Sequence, residues 1–164
     1  MTALTTIESQ ITGWLASQQD AMIDLLRDAV NIDSGSYDKA GVDAVGQRFI
    51  DFFAAQGLLT TREPHDTFGD AIHIRLDDTL SNEKPILLMG HRDTVFPKGE
   101  AARRPFRIAD GRAYGPGVCD MKAGLVINAF VLAAFKQFGG APAPLAGLIT
   151  SDEEIASPSS RPII

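Results

Sequence analysis

A histidine and a set of acids sit in this sequence where the chain leaves its apolar runs. His91 directly follows Ile86-Leu87-Leu88-Met89-Gly90, and Asp93 lies two residues further on. Side chains two apart on an extended strand share a face. An imidazole beside a carboxylate therefore suits a metal ligand with an acid to orient it. Asp152-Glu153-Glu154 follows a second apolar run, Leu145 to Thr150. Asp120 stands between the turn Tyr114-Gly115-Pro116-Gly117 and a helical stretch, where a short acid either caps the helix or reaches a ligand. In open α/β sheets, ligands bind beyond the carboxyl ends of the strands. Two strands thus deliver a histidine and several acids to what is predicted to be one edge.

Taken singly, each feature has a plainer reading. A His-x-Asp pair is commonly a surface hydrogen bond, Asp120 an N-cap and the acidic trio a solvated loop. Cys119 reads as a small buried residue, and His65 and His73 as structural or exposed side chains. Lys98, Arg103, Arg104, Arg107 and Arg112 fit a solvated hairpin. The Gly-Pro-Gly turn lacks the spacing and the Lys-Ser/Thr ending of a phosphate loop.

The elements that must position these residues are legible from periodicity. Thr5 and Glu8 form a capping box, and Ile7, Ile11, Trp14, Leu15, Met22, Leu25, Leu26 and Ala29 continue at helical spacing to about Val30. A second helix is predicted from near Gly41 to a stop at Gly57. Strands follow over Leu58 to Arg62 and Ala71 to Leu76, then a turn over Thr79 to Pro85. Ile86 to Gly90 and Leu145 to Thr150 read as buried strands, with a helix over Met121 to Phe138 between them. This alternation predicts an α/β fold, a mostly parallel sheet flanked by helices. Ser157-Pro158 reads as a helix opening, a capping serine with proline at the first helical position. Only six residues follow it, so the chain is expected to stop inside an element.

Composition narrows the function classes. The chain has 164 residues, 45% of them hydrophobic, and a formal net charge of −6. It suits one domain with a real core. An acidic chain is a poor binder of nucleic acid or of an anionic membrane. One cysteine excludes a disulfide framework within the chain and a zinc site built on clustered cysteines. No apolar run is read as approaching the ~20 residues of a membrane span, and Met1-Thr2-Ala3-Leu4 lacks a secretory start. The expected location is cytoplasmic.

Together the motifs carry more than they do singly. Gly90-His91-Arg92-Asp93-Thr94-Val95, Gly115-Pro116-Gly117-Val118-Cys119-Asp120-Met121-Lys122-Ala123-Gly124 and Ser151-Asp152-Glu153-Glu154-Ile155-Ala156-Ser157 closely resemble, in order and spacing, the three motifs of zinc exopeptidases of the M20 family. The Gly-Pro-Gly form and Thr94 to Gly99 look most like the glutamate carboxypeptidase branch. Ala156 stands where many relatives have glycine. The resemblance implies two zinc ions, with His91 on one, Glu154 on the other and Asp120 bridging them. It implies that Glu153 is the general base on the activated water, that Asp93 orients His91, and that the Asp120–Met121 peptide bond is cis. The implied substrate is a peptide or N-acyl amino acid. Residues 1–164 then correspond to the N-terminal part of the catalytic domain. The family's two further ligands, and the smaller domain through which its members form homodimers, have no counterpart here. His65 and His73 precede the motifs and do not match those ligands. A rival reading is a fragment that keeps the motifs without the activity.

Overall fold

A computed structural model describes residues 4–77 and 83–164. Most of the turn expected over Thr79 to Pro85 lies outside the described residues. The chain opens with α1 (Thr6–Ser17), which carries the predicted Thr5/Glu8 capping box. It does not run on to Val30 as one helix. Gln18 leaves helical geometry at φ −95° and ψ 9°, and α2 (Gln19–Val30) starts anew. The break falls in the polar stretch Ser17-Gln18-Gln19-Asp20, where no large apolar side chain demands a continuous stripe.

Asp38 caps α3 (Lys39–Ala55) through the Gly41 amide, two residues before the predicted start. Gly57, at φ +71°, ends that helix in the left-handed conformation that glycine adopts without a Cβ clash. Next come β1 (Leu59–Glu63), β2 (Ala71–Arg75) and β3 (Ile86–His91), then the short α4 (Glu100–Arg103). The basic segment forms the predicted hairpin, β4 (Arg107–Ala109) with β5 (Arg112–Tyr114). The chain continues into α5 (Ala123–Phe138) and β6 (Leu145–Thr150), the latter with the predicted bounds.

The architecture is α/β, with helices on a four-stranded sheet of order β1-β2-β6-β3. Its ladders differ from the expected mostly parallel pattern. β3 and β6 pair in parallel, while β1–β2 and β2–β6 are antiparallel. The connection from β1 to β2 is too short for the crossover that a parallel pair requires, so those strands form a hairpin.

The core forms where α2, α3 and α5 meet the sheet, around Val30, Val45, Phe49, Ile72, Ile74, Leu125, Phe130 and Ile149. Contrary to the expectation that no apolar run approaches the length of a membrane span, Val118–Phe138 covers 21 residues and is, by length and composition, long and apolar enough to cross a membrane. In the fold its apolar residues Leu125, Val126, Ala129, Phe130 and Leu132 are buried in this core. The Ile86–Gly90 run is not the fully buried strand predicted. Ile86, Leu87 and Met89 are exposed, because β3 is an edge strand and α5 covers it on one face.

Candidate metal centre

The parallel register of β3 and β6 builds the site. His91 lies opposite Thr150, so both strands end at one level. Asp93 and the Asp152–Glu154 segment therefore leave the sheet side by side. The turn before α5 supplies Asp120. Gly117 sits there at φ +70°, and a Cβ on it would lie 2.5 Å from the Thr94 side chain. Glycine thus lets the Asp120 turn approach the segment that carries His91 and Asp93. The Asp120–Met121 bond is cis, as the resemblance implies.

Three donors converge: one atom each from His91, Asp120 and Glu154, all within 4.8 Å of one another. His91 Nε2 lies 3.1 Å from Asp120 Oδ1 and 3.7 Å from Glu153 Oε2. Glu153 thus borders the cluster, with its side chain 56% exposed. Behind His91, Nδ1 lies 3.2 Å from Asp93 Oδ1 and 3.2 Å from the Asp93 carbonyl oxygen. This fixes the ring and leaves Nε2 directed at Asp120.

Asp93 is fully buried and its carboxylate is well supplied with donors. Ser36 Oγ donates to it at 2.6 Å, and the amides of Glu153 and Glu154 donate at 3.1 and 3.2 Å. Burial alone would raise its pKa, but His91 and Ser36 outweigh burial and hold it below the ordinary carboxylate value. Glu154 behaves oppositely. Burial and the negative charges of Asp120, Asp93 and Glu153 push it up, against the pull of His91. Burial also works against charge on His91, yet Asp93, Asp120 and Glu153 together lift its pKa to about 9. A cluster that strains toward taking up positive charge, with one imidazole and two carboxylates as donors, fits a divalent cation such as zinc.

Two buried cations brace the site, and neither is legible as such in the sequence. Arg92 donates to the carbonyls of Val42, Asp70, Ile149 and Thr150 and to the Asp43 carboxylate. It ties α3, the approach to β2 and the end of β6 to the residue between His91 and Asp93, and burial pushes its pKa down to about 10. Lys122 donates at 3.0 Å to the carbonyls of Ala29 and Ile32, anchoring the Asp120 turn to the end of α2. Burial pushes its pKa down to about 8.

Other expectations are corrected or resolved. Asp120 makes no side-chain capping bond, and its side chain is 74% exposed at the cluster. Cys119, in the same turn, is exposed rather than buried. Of the acidic trio, Asp152 is buried and accepts from Ser159 N and Ser160 Oγ. Those bonds replace the helix predicted at Ser157-Pro158. Ser157 has φ +56°, outside the extended region an N-cap needs, and a 3₁₀ turn forms instead at Arg161–Ile163. His73 pairs with Glu63, and His65 Nδ1 accepts from the Thr67 and Phe68 amides, so both stay apart from the cluster.

The family match falls on the segment that carries these residues. Residues 87–164 match the family model "Peptidase family M20/M25/M40". These residues belong to that family. Over 150 residues the chain is 34% identical to Carboxypeptidase G2 of Pseudomonas sp. (strain RS-16), covering 90% of this chain and 36% of that protein. It is 38% identical over 102 residues to a succinyl-diaminopimelate desuccinylase of Rhodospirillum centenum, covering 58% of this chain and 25% of that protein. The crystal structure of human carnosine dipeptidase 1 superposes with a TM-score of 0.77 at 17% identity, covering 94% of this chain and 37% of the other, a likeness of fold. The chain thus spans about a third or less of the length of these M20 relatives.

Proposed function

We propose that the chain carries the metal-binding half of a hydrolase that cleaves a peptide or N-acyl amino acid amide bond, in the manner of a glutamate carboxypeptidase. The observation that supports this best is the convergence of His91, Asp120 and Glu154 within 4.8 Å at the carboxyl end of paired parallel strands. His91, Asp120 and Glu154 would hold zinc. Zinc, when bound, polarises the scissile carbonyl and lowers the pKa of water.

The chain's own groups do the rest. Asp93 holds the His91 ring through Nδ1 and leaves Nε2 directed at Asp120. Glu153 lies beside the cluster on an exposed turn, within reach of a water seated among the donors. Its carboxylate is suited to take a proton from that water and pass it to the leaving amine. Adjacent residues take separate roles here because the 3₁₀ turn Glu153–Ile155 sends neighbouring side chains in different directions.

A second reading, a chain that keeps the motifs without efficient turnover, is favoured by the donor count: three donors among the described residues against the five that the resemblance implies. Zinc content of the purified chain, with hydrolysis of N-acyl-glutamate followed with and without chelator, tests both. Zinc bound by the wild type and lost in His91→Ala supports the metal site. Amide hydrolysis that survives metal removal would sink the hydrolase mechanism.

A further inference from the structure

Arg92 separates the donor His91 from Asp93, which orients it, and its side chain is fully buried. A guanidinium carries its N–H donors in a rigid fork. Nε donates to Val42 O at 2.9 Å, Nη1 to the carbonyls of Ile149 and Thr150 at 3.2 Å each, and Nη2 to Asp43 Oδ1 at 3.2 Å and to Asp70 O. The Arg92 amide also donates to Thr150 O, at 3.1 Å. Thr150 ends β6, shortly before Glu153 and Glu154. One residue thus fastens the strand that delivers His91 to the strand that delivers Glu154. The sequence leaves room for this fork. Gly46 lies inside α3, where glycine costs helix stability relative to alanine. A Cβ there would sit 2.9 Å from Arg92 Nε, and one on Gly69 would sit 3.0 Å from the Nη2 atom. A buried cation needs a counter-charge, and Asp43 supplies it from α3. Asp43 is itself held: Oδ1 also accepts the Asp70 amide at 2.8 Å, and Oδ2 accepts Lys39 Nζ at 2.8 Å. Lys39 donates in turn to Asp70 Oδ1 at 2.6 Å.

We propose that Arg92 is a positioning residue of the metal centre and that Asp43 fixes its place from α3, so that an acid outside the donor cluster governs how tightly the cluster holds a cation. This rests on the zinc-binding reading above. The physical reason is a difference in tolerance. Ligand distances must fall within about 0.2 Å of their ideal values. A small shift of β3 against β6 that the hydrophobic core absorbs is therefore felt at the ion. The Ile149 and Thr150 carbonyls and the Asp43 carboxylate set that register through one rigid group.

The test compares three variants of the 164-residue chain by zinc titration against a competing chelator and by amide NMR shifts of the metal-free protein. Arg92→Lys keeps the charge but has fewer donors and no fork, and is expected to weaken zinc binding about tenfold or more. Asp43→Asn keeps the volume, removes the counter-charge and turns an NH₂ toward a cation, and is expected to weaken it about threefold or more. Ile74→Val, a truncation in the core on β2, lowers stability without touching Arg92 and is expected to keep zinc affinity within about twofold. The His91 and Glu154 amides are expected to shift in the first two variants and to stay in place in the third. Should Arg92→Lys fail to fold, Asp43→Asn decides, since its side chain is partly exposed. Zinc affinity and amide shifts unchanged in folded Asp43→Asn would overturn the proposal, as would an equal loss of zinc in Ile74→Val, which would make affinity a mere reflection of stability. A wild-type chain that takes up no zinc would remove the metal reading instead. The amide shifts alone would then judge the positioning, upheld by displacement confined to the Arg92 and Asp43 variants and overturned by its absence.

Discussion

Asp93 at the end of one strand accepts the backbone amide of Glu154 at the end of its parallel neighbour, Oδ2 to N at 3.2 Å. The same carboxylate accepts the Glu153 amide through Oδ1 and contacts His91 Nδ1. One buried acid therefore sets the position of the histidine and of both glutamates. Asp93→Asn keeps the shape but replaces one acceptor oxygen with an NH₂ that faces an amide donor. The expected cost is about 2–3 kcal/mol of unfolding free energy, together with weaker zinc binding. Ser36→Ala, which removes a single bond to Asp93, is expected to cost about 1 kcal/mol. Urea unfolding and zinc titration of both variants check this; an Asp93→Asn protein as stable as Ser36→Ala would contradict it.

The two glutamates separate on metal retention. Glu154 belongs to the donor cluster, whereas Glu153 borders it at 3.7 Å from His91 Nε2. Glu154→Gln is expected to weaken zinc binding at least about tenfold, since a neutral amide is a poorer ligand than a carboxylate. Glu153→Gln is expected to leave zinc affinity within about twofold, because in this reading Glu153 does not ligate. Equal loss of metal in both variants would exchange or merge their roles.

In the proposed metal site a proton would compete with the metal for His91. In the metal-free protein its pKa is raised from the ordinary 6.5 to about 9, with burial opposing the charge and Asp93, Asp120 and Glu153 overcoming it. A pKa raised by folding adds stability that is fully present below the unfolded value and is lost as pH rises through the folded one. Metal-free protein is therefore expected to lose stability between about pH 6.5 and 9, and His91→Asn is expected to lack that slope. Zinc affinity should move the other way, rising with pH toward about 9 as the competing proton leaves. Urea unfolding in chelator and zinc titrations across this range measure both trends.

Ala156 occupies a left-handed backbone position at φ +70°, which explains why the resembled family commonly has glycine there. Ala156→Gly is expected to stabilise the protein by about 1 kcal/mol, the strain of the left-handed Cβ outweighing glycine's greater unfolded entropy. A drop in the thermal midpoint would refute this.

How far the sequence reached depended on whether a residue's environment was local. Leu145–Thr150 was legible to its ends because breakers bound an unbroken apolar run. Asp120 and Glu154 were legible through motifs that sit at strand and helix ends. The exposure of Leu87 and Met89 was not, since an apolar run does not reveal whether its strand lies at a sheet edge. Nor was Arg92, whose partners Val42 and Ile149 lie about fifty or more positions away in the chain. Ser157-Pro158 misled because its capping pattern competes with Asp152, whose carboxylate draws Ser159 and Ser160 into a turn. The mixed sheet follows from pairings that the order of elements alone leaves open.

The donor count sets the last expectation, that this chain alone is a slow hydrolase. Among the described residues three donors come together, and the two zinc ions that the resemblance implies would have to divide them. Catalytic zinc sites generally use three protein ligands and keep one position for water. Fewer than three ligands would hold an ion loosely, and orientation of the reacting groups supplies several kcal/mol of catalysis. The outer face of β3 adds a second handicap. Leu87 and Met89 are 46% and 43% exposed on an edge strand, a surface that promotes self-association. Zinc-loaded chain assayed on N-acyl-glutamates and glutamyl peptides is expected to turn over well below about 1 per second, the low end of ordinary enzymes. Light scattering on the same sample is expected to show association that Leu87→Lys reduces. Metal-dependent turnover in the ordinary range from a monomer would refute the expectation and require further donors from this chain, with His65 and His73 the first to substitute.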